Sequence, residues 1–253
     1  MVIIMLNMIT HKHRGMLSGY TLKWIAIISM AVDHVGAIII PKEYSIIFRC
    51  FGRIAFPIFC FLIIEGYFHT HNLKRYIFRL FAFALISEIP YDLAFKGKIF
   101  STAKQNVFFT LLIGLVMIAL TDRAFENLGK IEKTGKGGWG GFILYKTLYS
   151  IICLFFLSGG LAASILLKVD YTLIGVLIIM SMYIFRKYLI LKMLSILSVN
   201  LFLGSLIQPL AVFSIIPIML YNGKKGRSLK WLFYLFYPCH LLILVCLRYL
   251  LKL

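Results

Sequence analysis

The stretch LKWIAIISMAVDHVG, residues 22–36, lies inside an apolar run that extends from Leu22 to Ile40. An apolar run of about twenty residues is long enough to cross a ~30 Å hydrocarbon core as a helix. Asp33 and His34 stand side by side within this run. Because ionisable side chains are costly inside a bilayer, we interpret the pair as part of a functional site within a membrane helix.

Apolar stretches of this kind recur along the whole chain. Of its 253 residues, 61% are hydrophobic and 14% charged, and the mean hydropathy is +0.93. The pattern predicts an all-α polytopic membrane protein, a single bundle of about nine (8–10) transmembrane helices. Residues 1–253 then form one transmembrane domain, with spans near residues 22–41, 45–68, 75–95, 105–121, 142–163, 170–185, 188–205, 207–222 and 229–251.

The formal net charge of +18 lies mostly in Lys and Arg between the apolar stretches. Basic loop residues favour the cytoplasmic side, so the distribution predicts a membrane protein with its N-terminus inside and its C-terminus outside. Such residues also attract anionic lipid head groups, and we expect no nucleic-acid partner. Residues 1–20 are expected to form a cytoplasmic tail, with Met1 or Met16 as the start, and residues 122–141 a flexible cytoplasmic loop.

Two patterns that sometimes indicate ligand sites do not do so here. The glycine-rich stretch GKGGWGG, residues 135–141, lacks the register of a phosphate-binding loop and has no strand before it. The five cysteines lie in apolar runs without C-x-x-C spacing, so we expect neither a disulfide framework nor a metal site.

The tripeptide Leu-Lys-Trp occurs twice, at residues 22–24 and 229–231, and a histidine follows each copy. His34 and His240 lie eleven and ten residues past the respective lysines, roughly 15 Å along a helix. Lys and Trp are typical of membrane interfaces. The spacing therefore predicts that both histidines lie at a similar depth, near the bilayer midplane.

Further polar residues fall inside the predicted spans: Arg49, Arg53 and Glu65 in the second, Glu88 and Asp92 in the third, and Asn106 and Thr110 in the fourth. Counting from the span ends places four side chains about 9–12 Å below the outer surface, namely His34, Arg53, Glu88 and Thr110. Each charge facing lipid costs about 2.5–3.5 kcal/mol, so these groups should face one another or a wet cavity. One interpretation is structural, with Arg49 or Arg53 paired to a carboxylate to hold the helices together.

Seven short motifs are spread over both ends of the chain: residues 22–36, GRIAFPIF at 52–59, Glu65 with His69, SEIPYD at 87–92, QNVFFT at 105–110, YNGKKG at 221–226 and FYPCHL at 236–241. These motifs resemble the TraX family, named for a conjugative-plasmid protein that N-acetylates pilin. The resemblance implies a protein of the bacterial cytoplasmic membrane. The resemblance implies an acyltransferase of the wider transmembrane family. It further implies acetyl-CoA as the acyl donor from the cytoplasm and a peptide, glycan or lipid acceptor in or across the membrane.

Acyl transfer also suits the residues themselves, because histidine can act as a general base and arginine can stabilise an oxyanion. In the leading hypothesis His34 deprotonates the acceptor, and Asp33 or Glu88 orients the His34 ring. His240 shares or replaces the role of His34. Arg53 and Asn106 stabilise the oxyanion. The remaining candidates, assigned to substrate binding, are Arg49, Glu65, Asp92, Asn106 and Thr110.

Two alternatives stay open at this stage. A proton-coupled transporter would use the same Asp, Glu, His and Arg residues as a proton relay. An assembly scaffold would use the charges only to join helices.

Overall fold

The computed structural model describes residues 15–132 and 139–252. Within these residues the chain is helical and contains no strand, which confirms the prediction of an all-α bundle. The helices are α1 (Gly19–Ile38), α2 (Lys42–Gly52), α3 (Ala55–Phe68), α4 (Leu73–Lys96), α5 (Val107–Glu132), α6 (Trp139–Leu166), α7 (Thr172–Ile184), α8 (Leu189–Leu203), a 3-10 helix (Gln208–Ser214), α9 (Ile215–Met219) and α10 (Lys230–Leu250).

Helix α1 lies at the centre of the site region and packs against α2, α3 and α10. Its first turn is capped by Ser18, whose hydroxyl oxygen accepts a hydrogen bond from the backbone N–H of Thr21 at 3.2 Å. The backbone N–H of Gly19 donates to the carbonyl of Lys224 at 2.8 Å, just before α10. Helices α1 and α10 therefore start at the same end of the bundle.

We call this end the basic end and define it by three segments: residues 19–23, 69–79 and 222–230. The middle segment joins α3 to α4, and Asn72 caps α4 by accepting a hydrogen bond from the backbone N–H of Arg75 at 2.9 Å. Each of the three segments carries Lys or Arg. Helices α1 and α4 end at the opposite end of the bundle.

A short break at Arg53 and Ile54 separates α2 from α3. Pro57 lies in the first turn of α3 and has no backbone N–H, so the carbonyl of Arg53 loses its usual helical partner. The two helices together still form one candidate span, Lys42–Phe68. The break places the Arg53 side chain at a helix junction in the interior.

The connection from α4 to α5 folds back into the bundle. Asn106 is fully buried, and its backbone N–H donates to the Glu88 carboxylate at 2.8 Å, two turns before the end of α4. The adjoining Gln105 exchanges backbone hydrogen bonds with Lys168 and Asp170. Irregular backbone inside a membrane protein is tolerated where it is buried against protein in this way.

The predicted spans match the helices in order but not always in length. Within the part of the chain that the structure describes, five helical segments are long and apolar enough to cross a membrane: Gly19–Ile38, Lys42–Phe68, Val107–Asn127, Leu144–Leu166 and Lys230–Leu250. Three are shorter: Thr172–Ile184, Leu189–Leu203 and Gln208–Met219. A 13-residue helix such as α7 is roughly 20 Å long, less than the hydrocarbon thickness.

The predicted loop at 122–141 is mostly helical where the structure describes it. Helix α5 continues to Glu132 and α6 begins at Trp139, because apolar side chains such as Phe125 still pack against Tyr149 of α6. Residues 133–138 of the predicted loop and residues 1–14 of the predicted tail lie outside the described residues.

The close approach of α1 and α2 gives a test of the packing. A Cβ added at Gly36 would collide with the Phe48 side chain, whereas one added at Gly159 in α6 would meet nothing within 4 Å. We expect Gly36→Ala to destabilise the protein by about 1–3 kcal/mol through overpacking. We expect Gly159→Ala to be neutral or slightly stabilising, because alanine favours a helix over glycine. Thermal unfolding of the detergent-solubilised variants measures both, and equal melting temperatures would contradict the α1–α2 packing.

Candidate functional site

His34 and His240 meet between α1 and α10. Nδ1 of His34 lies 2.7 Å from Nε2 of His240, and the ring planes differ by only 3°. His240 is buried halfway along α10, about 15 Å from either end. The contact agrees with the equal depth predicted from the two Leu-Lys-Trp tripeptides.

The hydrogen bonds of this pair fix which nitrogens carry protons. Nδ1 of His240 lies 2.7 Å from the backbone carbonyl of Phe236, and a carbonyl oxygen can only accept, so Nδ1 of His240 is the donor. In a neutral ring Nε2 of His240 is then an acceptor, and Nδ1 of His34 donates to it. Nε2 of His34 is left as the unprotonated nitrogen, with no hydrogen bond to any residue that the structure describes.

Asp33 faces a different neighbour from His34. Its carboxylate accepts a hydrogen bond from Nη2 of Arg53 and forms an ion pair with it. Nη1 of Arg53 donates to Gln208 at 3.2 Å, and Gln208 in turn donates to Asn200 of α8 at 3.1 Å. This network agrees with the structural interpretation for Arg53, because the ion pair joins α1 to the junction of α2 and α3.

Arg49 lies one turn before Arg53 and is less constrained. Its Nε is 4.0 Å from Asp33, and 42% of its side chain is exposed. Nε itself is buried and has no hydrogen-bond partner among the described residues. Both arginines are close enough to His34 to act on it electrostatically. Arg49 therefore keeps one donor unpaired among the described residues, within electrostatic range of His34.

Glu88 and Asp92 hold the returning segment at residues 98–106 in place. Glu88 accepts hydrogen bonds from both the backbone and the side-chain amide of Asn106, and Asp92 accepts one from the backbone N–H of Ser101. The Asn106 side chain also donates to the carbonyl of Ala84 at 2.7 Å. One oxygen of each carboxylate, Oε2 of Glu88 and Oδ1 of Asp92, is buried and has no hydrogen-bond partner in residues 15–132 and 139–252.

Two predicted roles do not match these contacts. Neither Asp33 nor Glu88 hydrogen-bonds to His34, because Arg53 and Asn106 occupy them; His240 takes the orienting position instead. Both amide hydrogens of Asn106 already bond within the protein, so these bonds would have to break before Asn106 could donate to an oxyanion.

Thr110 and Glu65 lie apart from the histidine pair. The Thr110 hydroxyl donates to the carbonyl of Asp170, whose carboxylate pairs with Lys104 at 2.7 Å. Glu65 lies toward the basic end, where Oε1 is 3.6 Å from Nε of Arg186. The assignment of these residues to substrate binding stays a prediction.

A cavity of about 380 Å³ runs from the basic end toward the histidines. Its inner wall includes Met30 and Tyr237, each about one helical turn before a histidine of the pair. The Tyr237 ring centroid lies 6.0 Å from that of His34 and 5.7 Å from that of His240. The volume of the cavity falls in the usual range of small-molecule sites, ~300–1,000 Å³. The inner end of the cavity therefore lies about one helical turn short of the histidine pair.

Some residues of this region were not among the sequence candidates. Gln208 and Asn200 are buried amides inside predicted apolar spans, a signal of the same kind as the one that identified Arg53. Tyr237 and Phe236 stand just before His240, but no sequence pattern shows that a backbone carbonyl orients a histidine.

Comparisons with known proteins give a consistent relationship. A "Probable fimbrial assembly protein FimC, serogroup H1" from Dichelobacter nodosus is 27% identical over 250 residues, covering 90% of this chain and 94% of the relative. No solved structure matches. The family model described as TraX protein matches residues 18–248, which include every residue of the site above. The chain belongs to the TraX protein family.

Proposed function

We propose that the chain is an integral membrane acyltransferase that transfers an acetyl group from acetyl-CoA to an amine or hydroxyl of a membrane-presented acceptor. The single observation that carries the proposal is the hydrogen-bonded series from the Phe236 carbonyl through His240 to His34. It leaves Nε2 of His34 as a free base, about one helical turn beyond the inner end of the cavity. A correctly oriented histidine with one open nitrogen is what general-base catalysis of acyl transfer requires.

In the proposed reaction, Nε2 of His34 takes the proton from the acceptor N–H or O–H as that atom attacks the thioester carbonyl carbon. The tetrahedral intermediate then collapses, the carbon–sulfur bond breaks, and the departing sulfur receives the proton from His34 as free CoA leaves. Nδ1–H of His34 stays hydrogen-bonded to His240 throughout. His240 is a positioning residue here, because it holds the tautomer of His34 and contacts no reacting atom.

Arg49 is the better candidate for stabilising the oxyanion than Arg53. Arg53 is buried and already donates to Asp33, to Gln208 and to the carbonyl of Arg49 at 3.1 Å. Arg49 retains an unpartnered Nε and lies near His34. A preorganised donor of this kind acts without needing to break existing hydrogen bonds.

The relative from Dichelobacter nodosus is named as a fimbrial assembly protein. That name favours a pilin-like peptide as acceptor, with a glycan or lipid as the other classes that fit a membrane-presented nucleophile. We place the protein in the bacterial cytoplasmic membrane with its N-terminus inside, because Lys and Arg concentrate at the basic end. Acetyl-CoA would then enter from the cytoplasm.

Substitution of the two histidines should have different effects. We expect His34→Ala to lower kcat about 10²–10⁴-fold, the usual contribution of a general base. His240→Gln should retain much of the activity, because the glutamine carbonyl can accept from Nδ1–H of His34, whereas His240→Leu should resemble His34→Ala. The measurement is release of free CoA from acetyl-CoA by purified protein with a panel of amines, peptides and glycolipids.

Full activity in both His34→Ala and His240→Leu would overturn the base assignment. Substrate flux into sealed proteoliposomes without CoA release would favour the proton-coupled transporter instead. Equal melting temperatures of the variants and the unmodified protein serve as the folding control.

The two arginines provide a matched pair on one face of the α2–α3 junction. Arg49→Gln should lower kcat about 10²–10³-fold with little change in stability, as for loss of one oxyanion donor. Arg53→Gln should destabilise the fold by about 3–5 kcal/mol, because it leaves Asp33 buried without its cation. Measuring kcat and the melting temperature of both variants separates the two effects. A stable Arg53→Gln with low kcat beside an unstable Arg49→Gln would make Arg53 the oxyanion donor and Arg49 the structural partner of Asp33.

A further inference from the structure

The cavity has a strong excess of positive charge at its mouth. Five Lys and Arg side chains line it: Lys23, Arg75, Arg79, Lys225 and Lys230. Glu65 is the carboxylate among its described lining residues, and Arg186 already lies 3.6 Å from it. Across residues 15–132 and 139–252, none of the five cations forms an ion pair with a carboxylate. The mouth therefore carries charge that the protein itself does not neutralise.

Aromatic rings, not acids, support these cations. The ammonium of Lys23 lies 5.3 Å from the centroid of Phe233, and the guanidinium of Arg79 lies 5.7 Å from that of Tyr76. Nε of Arg79 is buried and has no hydrogen-bond partner among the described residues. A buried donor without a partner is unfavourable unless a ligand accepts from it. Planar guanidinium groups are well suited to phosphate oxygens.

The far end of the cavity has the opposite character. Its wall there is apolar or aromatic, formed by Met30, Phe108 and Tyr237 among others. Lys230 at the mouth and Tyr237 at the inner wall are seven residues apart on α10, a separation of roughly 10 Å, and His240 lies one turn further, roughly 15 Å from Lys230. A ligand with its anionic head at the mouth therefore needs an uncharged arm about 15 Å long to reach the histidines.

We propose that this cavity binds the coenzyme A portion of the donor, with Arg75, Arg79 and Lys230 holding its phosphates. This inference rests on the proposed function, since it assigns the donor subsite of the same reaction. The pantetheine arm is about as long as four or five extended residues, ~15 Å. It passes between α1 and α10 and brings the thioester to Nε2 of His34.

Binding measurements on the full chain in nanodiscs test the proposal, with CoA, 3′-dephospho-CoA and pantetheine as probes. We expect affinity to fall in that order and to weaken with added salt, because phosphates supply the charge. Arg75→Gln, Arg79→Gln and Lys230→Gln should each raise the Kd for CoA about 10- to 100-fold, the usual effect of losing a charge-assisted hydrogen bond. Arg227→Gln is the matched control, since Arg227 is an exposed cation of the same end that does not line the cavity.

A second assay separates failure of this inference from failure of the proposed function. Acetyl-N-acetylcysteamine is a thioester without phosphates, so we expect slower turnover than with acetyl-CoA. The rate with this thioester should be the same in Arg75→Gln, Arg79→Gln and Lys230→Gln as in the unmodified protein, and it should be lost in His34→Ala. Equal Kd values for CoA and pantetheine, or no effect of the three substitutions, would overturn the phosphate subsite. Binding of phosphatidylglycerol vesicles at the cavity that CoA does not compete away would identify an anionic lipid as the occupant. That result would also overturn the phosphate subsite.

Discussion

The ion pair between Asp33 and Arg53 is the interaction on which the rest of the site depends. A lone charge at this depth is expensive in a bilayer, and the pairing removes that cost for both residues. It also fixes the rotation of α1 against the junction of α2 and α3, where Pro57 has already broken the helix. Gln208 and Asn200 extend the same network to α8.

That pairing determines what His34 can do. Neighbouring residues on a helix point about 100° apart, so a carboxylate turned toward Arg53 leaves the next side chain facing α10. There the orienting groups are His240 and the Phe236 carbonyl, both uncharged. An uncharged partner avoids placing a further carboxylate in the low-dielectric interior, where each charge needs its own counter-ion. The histidine pair therefore orients the base without adding net charge to the site.

The fold class was predictable from the sequence because hydrophobicity over about twenty residues reflects one dominant physical cost. That His34 and His240 lie at the same level was predictable for a similar reason, since Lys and Trp mark the interface and helical rise is constant. The partners of each polar residue were not. The pairing of Asn106 with Glu88 depends on the chain from 98 to 106 folding back into the bundle, and local sequence does not encode that return. The helical extension to Glu132 was missed because charged residues there resemble a loop, although Phe125 packs on Tyr149.

The basic end of the bundle has an open cavity and the opposite end is partly covered by the returning segment. The two substrates of the proposed reaction would therefore reach His34 by different routes. On the proposed function, a donor filling the cavity of about 380 Å³ would block the basic end to a second substrate. The returning segment, pinned by Asn106 and by the ion pair of Lys104 with Asp170, covers part of the opposite end. Arg49 stays partly exposed, within electrostatic reach of His34. On the proposed function the acceptor would approach past Arg49, so that the nucleophile and the thioester would meet at Nε2 of His34 from opposite sides, and the acyl group would move toward the end away from the donor's entrance.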